Sequence, residues 1–145
     1  IFANNAGVAG RYNHNYDTAV SYYMEALKIA EGKQDQSQMY YHAINLAFLS
    51  LLQENKAAMA KYADLAFNAT EKDPFPSLWK LATLGEIFLY KGEFEKSKEY
   101  YAKASEMAGL REKISIHTNA YNAYISLMQT DNPNDSFIKF LKLQL

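Results

Sequence analysis

Between Leu78 and Ala108 the chain reads LWKLATLGEIFLYKGEFEKSKEYYAKASEMA, two helical patterns joined across Lys91-Gly92-Glu93. Leu81, Leu84, Gly85 and Phe88 recur at the three-and-four spacing of a packed helix, so they share one face. Ser97, Tyr101 and Ala104 share a face of the second pattern in the same way. Gly85 and Ala104 are small where two helices must approach closely, and Phe88 and Tyr101 fill the space beside them. Gly92 accepts backbone angles that other residues resist and so supplies the tight turn. These features predict an antiparallel helix pair.

The pair should recur if it is a repeating unit, and it does. Moving back 38 residues places Ala43, Leu46, Ala47 and Ser50 on the first-helix positions, with Met59, Ala63 and Ala66 on the second. A further 40 residues back gives Ala3, Ala6, Gly7 and Gly10, then Ala19, Tyr23 and Ala26. Tyr22, Tyr62 and Tyr100 then fall in register, as do Ala26, Ala66 and Ala104. The expected repeats cover about residues 1–34, 36–72 and 76–109. IFANNAGVAG is a weak first helix, because each of its two glycines costs about 1 kcal/mol in a helix interior. The segment YYHAINLAFLSLL is apolar nearly all round and should be the most buried. Asp35 or Ser37 can cap it, Gln53 to Lys56 turn without glycine, and Asp73-Pro74-Phe75-Pro76 stops the next helix. After Gly109 the register blurs. Arg111 to Gln129 should form one long helix with Ile114, Tyr121, Ile125 and Met128 inward. A short amphipathic helix from Asp135 should close the array as the second member of a capping pair, residues 111–145.

The arrangement resembles the tetratricopeptide repeat, whose signature is Trp-x2-Leu-Gly-x2-Tyr, then Ala-x3-Phe, then Pro. Leu81 stands for its Trp, Ser97 for its Ala and Gly109 for its Pro, and the period exceeds the usual ~34 residues. Tyr41-x-x-Ile44-Asn45-x-Ala47 and Trp79-x-x-Ala82-Thr83-x-x-Glu86 also resemble the TRAF-binding repeat region of stress-activated kinase kinase kinases and of related bacterial repeat proteins. This second resemblance covers roughly Tyr41 to Ala108 and implies a regulatory scaffold. Together they imply an all-α, right-handed superhelix of antiparallel helix pairs, a tetratricopeptide-like α-solenoid of about seven or eight helices. The whole chain, residues 1–145, is expected to be a single such domain.

Composition narrows the function. Lys+Arg 15 against Asp+Glu 16 gives a net charge of −1 with no basic patch, which argues against nucleic acid as a partner. No apolar run approaches the roughly 18–20 residues of a membrane span. With no cysteine there is neither a disulfide framework nor a thiol metal site. The three histidines lie outside any metal-ligand spacing, Gly7-Val8-Ala9-Gly10 lacks the Lys-Ser/Thr of a phosphate loop, and no nucleophile motif occurs. The expectation is a non-catalytic module without metal or cofactor. A start at Ile1 rather than Met is compatible with a removed signal or an upstream domain. The compartment is open, with the cytoplasm slightly ahead.

Twelve tyrosines are the unusual feature. The doublets Tyr22-Tyr23, Tyr40-Tyr41 and Tyr100-Tyr101 set neighbours about 100° apart on a helix, so one of each must face outward. An exposed tyrosine offers a large contact area at little entropic cost. In repeats of this kind the first helices line the concave face, which nominates Tyr41, Asn45, Phe48, Trp79, Thr83, Glu86 and Tyr90 as a groove for a protein or peptide partner. The positions that clamp chaperone carboxylate tails in some tetratricopeptide proteins are here Asn4, Val8, Asn45, Trp79 and Thr83. Only Asn45 agrees, and no cation is present to hold an acidic tail. A second functional class is structural, a self-assembling segment of a larger repeat protein. There the apolar ends, Ile1-Phe2 and FIKFLKLQL, would meet another copy.

Overall fold

Four helix starts fall where a capping side chain puts them, at Asp35, Asn55, Ser77 and Asp135. The computed structural model describes residues 16–144, and the expected first helix over Ile1–Gly10 with its following turn lies outside them. Seven helices occupy the described residues, with no strand: α1 Tyr16–Gly32, α2 Gln36–Leu52, α3 Lys56–Lys72, α4 Leu78–Tyr90, α5 Phe94–Met107, α6 Leu110–Met128 and α7 Ser136–Gln144. The all-α expectation therefore holds. Asp35, Asn55 and Ser77 cap α2, α3 and α4 by accepting from the backbone N–H three residues on. Ser37 donates to the Asp35 carboxylate at 3.1 Å rather than capping the helix itself.

The turns α1–α2, α2–α3 and α4–α5 share one construction. Gln34, Glu54 and Gly92 sit in the left-handed region, with φ of 53°, 60° and 76°. The following residue's N–H then reaches back five residues, from Asp35 to Ala30, Asn55 to Ser50 and Glu93 to Phe88, at 3.0, 2.8 and 2.9 Å. This is the closure that satisfies a helix's last carbonyls. Only Gly92 adopts it without a side-chain penalty.

The chain divides into two compact units between Pro74 and Phe75. In the first, Tyr23, Leu27, Leu46 and Leu49 form a core with Ala19, flanked by Tyr16, Val20, Met39, Tyr41, Leu52, Tyr62 and Leu65. Helix α2 buries nine residues, more than any other helix, because it packs against both α1 and α3. Ala43, Leu46, Ala47 and Ser50 are sealed there, as are Met59, Ala63 and Ala66 of α3.

The second unit rests on the contact between α4 and α5. A Cβ added to Gly85 would lie 2.9 Å from the Tyr101 ring, so only glycine lets the two helices sit this close. Ser97 uses the same proximity to donate its hydroxyl to the Gly85 carbonyl at 2.6 Å. Tyr101 and Ala104 are fully enclosed, and Phe88 stacks on Tyr100 at 5.5 Å. Helix α7 closes this unit through Phe137, which stacks on Tyr124 at 4.6 Å and meets Phe94 and Tyr101 edge-on. Asp135 caps α7 by accepting from the Phe137 and Ile138 N–H groups, and Tyr124 donates to its other oxygen at 2.8 Å.

The expected phase of α6 is corrected. Ile114 and Met128 are 57% and 43% exposed, while Tyr121 and Ile125 are only half-buried. The face turned inward is Ile116, Ala120, Ala123 and Tyr124. Small alanines win the interior because they admit close neighbours, and the larger apolar residues are left on the far side.

Two substitutions test these contacts. Gly85→Ala gains about 1 kcal/mol of helix propensity yet should lower unfolding stability by roughly 1–2 kcal/mol net, because the added methyl meets the Tyr101 ring. A neutral or stabilised variant in chemical denaturation would show that the ring moves aside freely. Glu54→Gly should raise stability by about 0.5–1 kcal/mol, since it relieves a left-handed non-glycine residue at an exposed turn. A loss of stability there would contradict the strain.

Candidate functional site

On α2, nearly every residue from Tyr40 to Leu51 is buried, and the gaps in that pattern are Tyr41, Asn45 and Phe48. They follow one another at steps of four and three, so the helix leaves a single stripe partly open to solvent. The stripe is braced from within. Asn45 donates its side-chain amide to the Tyr41 carbonyl at 2.7 Å, and Tyr41 packs edge-on against His42 at 5.1 Å while backing onto the Tyr23–Leu46 core.

The second unit carries its own stripe on α4, Trp79, Thr83, Glu86 and Tyr90. Trp79 is 47% exposed, and Phe75 is 72% exposed, so neither is core. Thr83 and Glu86 are half-buried. Tyr90 is buried, and its hydroxyl donates to Glu86 Oε2 at 2.5 Å. Tyr90 therefore supports Glu86 instead of offering an open ring. Each unit thus brings together its own share of the seven nominated residues.

Glu86 is the feature that sequence reasoning could not have valued. Burial raises its carboxyl to about 7, a rise only partly offset by the Tyr90 hydrogen bond. No cationic side chain of the described residues pairs with it, and the groups facing it are hydroxyls, Tyr90 on its own helix and Tyr101 on α5. The Tyr101 hydroxyl is sealed without a partner. Both phenols are held well above their ordinary value, first by burial and then by the nearby carboxylate. A neutral acid at this point can donate a hydrogen bond, and an ionised one would attract a cation.

The first unit also holds a cleft of about 240 Å³ at the α1–α2 junction, with Ala26, Ile29 and Ala30 as floor and Lys33, Asp35, Gln38 and His42 around it. Burial lowers the His42 basicity although Asp35 pulls the other way, so the ring is neutral near pH 7, and its Nδ1 has no partner. Cavities that enclose small molecules are larger, about 300–1,000 Å³, so this cleft has room for little more than one side chain. Among the described residues no group of three or more His, Asp or Glu could hold a metal, and no helix is long and apolar enough to cross a membrane. His117 stacks on Tyr121 at 6.1 Å, and His14 lies outside the described residues.

Each tyrosine doublet divides between an inward and a more open ring. Tyr23, Tyr40 and Tyr101 face inward, while Tyr22 is 48% exposed and Tyr41 and Tyr100 are half-buried. Comparison with protein-family models, curated proteins and solved structures gives no match.

The acid predicts a pH dependence. A carboxyl whose folded value lies above its unfolded one makes the folded state the tighter proton binder. The stability this contributes is complete below about pH 4.5 and is lost as pH rises through about 7, by up to about 3 kcal/mol. His42 acts in the opposite sense, since its protonation below about 6.5 destabilises the fold, and Asp135 acts only below about 3.8. The difference between wild type and Glu86→Gln isolates the carboxyl. In denaturant titrations, Glu86→Gln should gain stability relative to wild type between pH 5 and 8, whereas a constant difference would contradict the raised acid.

Proposed function

We propose that the chain is a non-catalytic interaction module whose helix pairs are repeats of tetratricopeptide type, each presenting the stripe of its first helix to a protein or peptide partner. The observation that carries this reading is Trp79, the only tryptophan, which stands half exposed at the head of a stripe containing Thr83 and Glu86. A large aromatic surrounded by polar neighbours is the usual composition of an interface hot spot. The Tyr41–Asn45–Phe48 stripe has the same composition, aromatic rings separated by an amide. The partner expected is an extended or helical peptide with apolar anchors, and the half-buried Glu86 favours a hydrogen-bonding or basic residue near the anchor. The right-handed stacking of the pairs, and the scaffold role implied by the kinase-kinase-kinase resemblance, belong to the same proposal.

Trp79→Ala tests it. Peptides would first be selected from a displayed library on the intact chain and their affinity for wild type and variant measured by calorimetry. The variant should lose about 2 kcal/mol or more of binding, close to thirtyfold, while its melting temperature stays near that of wild type. A loss of roughly 3–5 kcal/mol of stability instead would mark a core residue. Undiminished affinity in the variant would remove the anchor from the proposal.

A further inference from the structure

Helix α6 carries apolar residues on two separate sides. Its inner side is Ile116, Ala120, Ala123 and Tyr124. Its outer side is Leu110, Ile114, Thr118, Tyr121, Ile125 and Met128, which at 100° per residue cluster about 130° around the helix from the inner side. Leu110, Ile114 and Met128 are 78%, 57% and 43% exposed. Thr118 turns its hydroxyl onto the Ile114 carbonyl at 2.9 Å, which leaves its methyl group to the apolar row. His117 lies flat beside Tyr121, with an interplanar angle of 11°. From Ile114 to Met128 the steps are four, three, four and three, the seam of a helix built to pack along another helix.

We propose that this seam pairs with the same seam of a second copy, in antiparallel orientation, about a two-fold axis at Tyr121. The order of side chains suits self-pairing. Reversing the helix sets Ile114 against Met128, Thr118 against Ile125 and Tyr121 against itself, so each large residue meets a large one or the small Thr118. Charge chooses the direction. Arg111 and Lys113 stand in the first turn, and the only acid of the helix, Glu112, folds back toward Gly109. Parallel copies would bring the four cations together. Antiparallel copies separate them and set each pair beside the negative end of the opposing helix dipole. One flank of the seam carries the uncharged Asn122 and Ser115, and the other carries His117 beside Tyr121.

The strength follows from size. Nineteen residues span about 28 Å, and a strip about 10 Å wide buries roughly 300 Å² on each copy. The total of about 600 Å² is well below the roughly 1,200 Å² of stable complexes. The dimer should therefore be weak and form only at high protein concentration. It is independent of the partner stripes proposed above, because it uses none of their residues.

Sedimentation equilibrium of the full chain from roughly 5 to 500 µM should show the mass rising toward twice the monomer and levelling there. Ile114→Asp should keep the helical circular dichroism, since Ile114 is exposed, and should weaken pairing at least tenfold. The natural chain has no cysteine, so single cysteines report the geometry. Tyr121→Cys should form a disulfide-linked dimer under mild oxidation. Ile114→Cys should not, because its copies would stand about 21 Å apart, beyond the ~7 Å that a disulfide tolerates. A monomer at every concentration, growth past the dimer, pairing untouched by Ile114→Asp, or cross-linking of Ile114→Cys as readily as Tyr121→Cys would each overturn the proposal.

Discussion

The close approach of α4 and α5 at Gly85 is the contact on which the second unit depends. It exists because one residue lacks a Cβ, and the aromatic ring of Tyr101 occupies the space that Cβ would need. Once the helices are that near, the Ser97 hydroxyl reaches the Gly85 carbonyl, and Ala104 can be enclosed without leaving a void. Tyr101 then becomes one of the surfaces on which Phe137 closes the last helix. In the first unit the same role falls to alanines, with Ala43 and Ala47 on α2 and Ala63 and Ala66 on α3 fully sealed. Each pair is thus locked by small residues and filled by large ones at their side.

Tight closure on one side of each first helix leaves another side partly open. Tyr41, Asn45 and Phe48 stay accessible because α2 has met its neighbours through other residues. Glu86 occupies the boundary on α4. Burial raises its carboxyl to about 7, and the hydrogen bond from buried Tyr90 one turn on partly offsets that rise. An acid placed at such a boundary costs stability as it ionises. The outer row of α6 is a different kind of surface, largely apolar, with Leu110, Ile114 and Met128 exposed.

Much of the fold was legible in the sequence because spacing and small residues carry it directly. Leu81, Leu84, Gly85, Phe88, Ser97, Tyr101 and Ala104 were placed inward by periodicity, and all but the half-buried Leu81 are buried. The Lys91-Gly92-Glu93 turn was readable from its glycine. Gln34 and Glu54 adopt the same left-handed geometry without any residue that announces it, because the neighbouring helices impose it. The phase of α6 was misread for a related reason. Choosing the largest apolar side chains as the inner face ignores that a closely packed helix buries alanine, and Ala120 and Ala123 were the better signal. For the candidate stripes, position on the helix was legible but exposure was not. Tyr90 and Trp79 occupy the same stripe, and only tertiary packing makes one buried and the other half open.

If small-residue closure is where stability is concentrated, native-state amide hydrogen exchange should reveal it. The slowest amides of the first unit should lie in α2 and α3 around Ala43, Ala47, Ala63 and Ala66. Those of the second should lie in α4 and α5 around Gly85, Phe88, Tyr101 and Ala104, with α6 and α7 opening first. Slowest exchange in α6 or α7, or uniform protection across all the helices, would contradict the account.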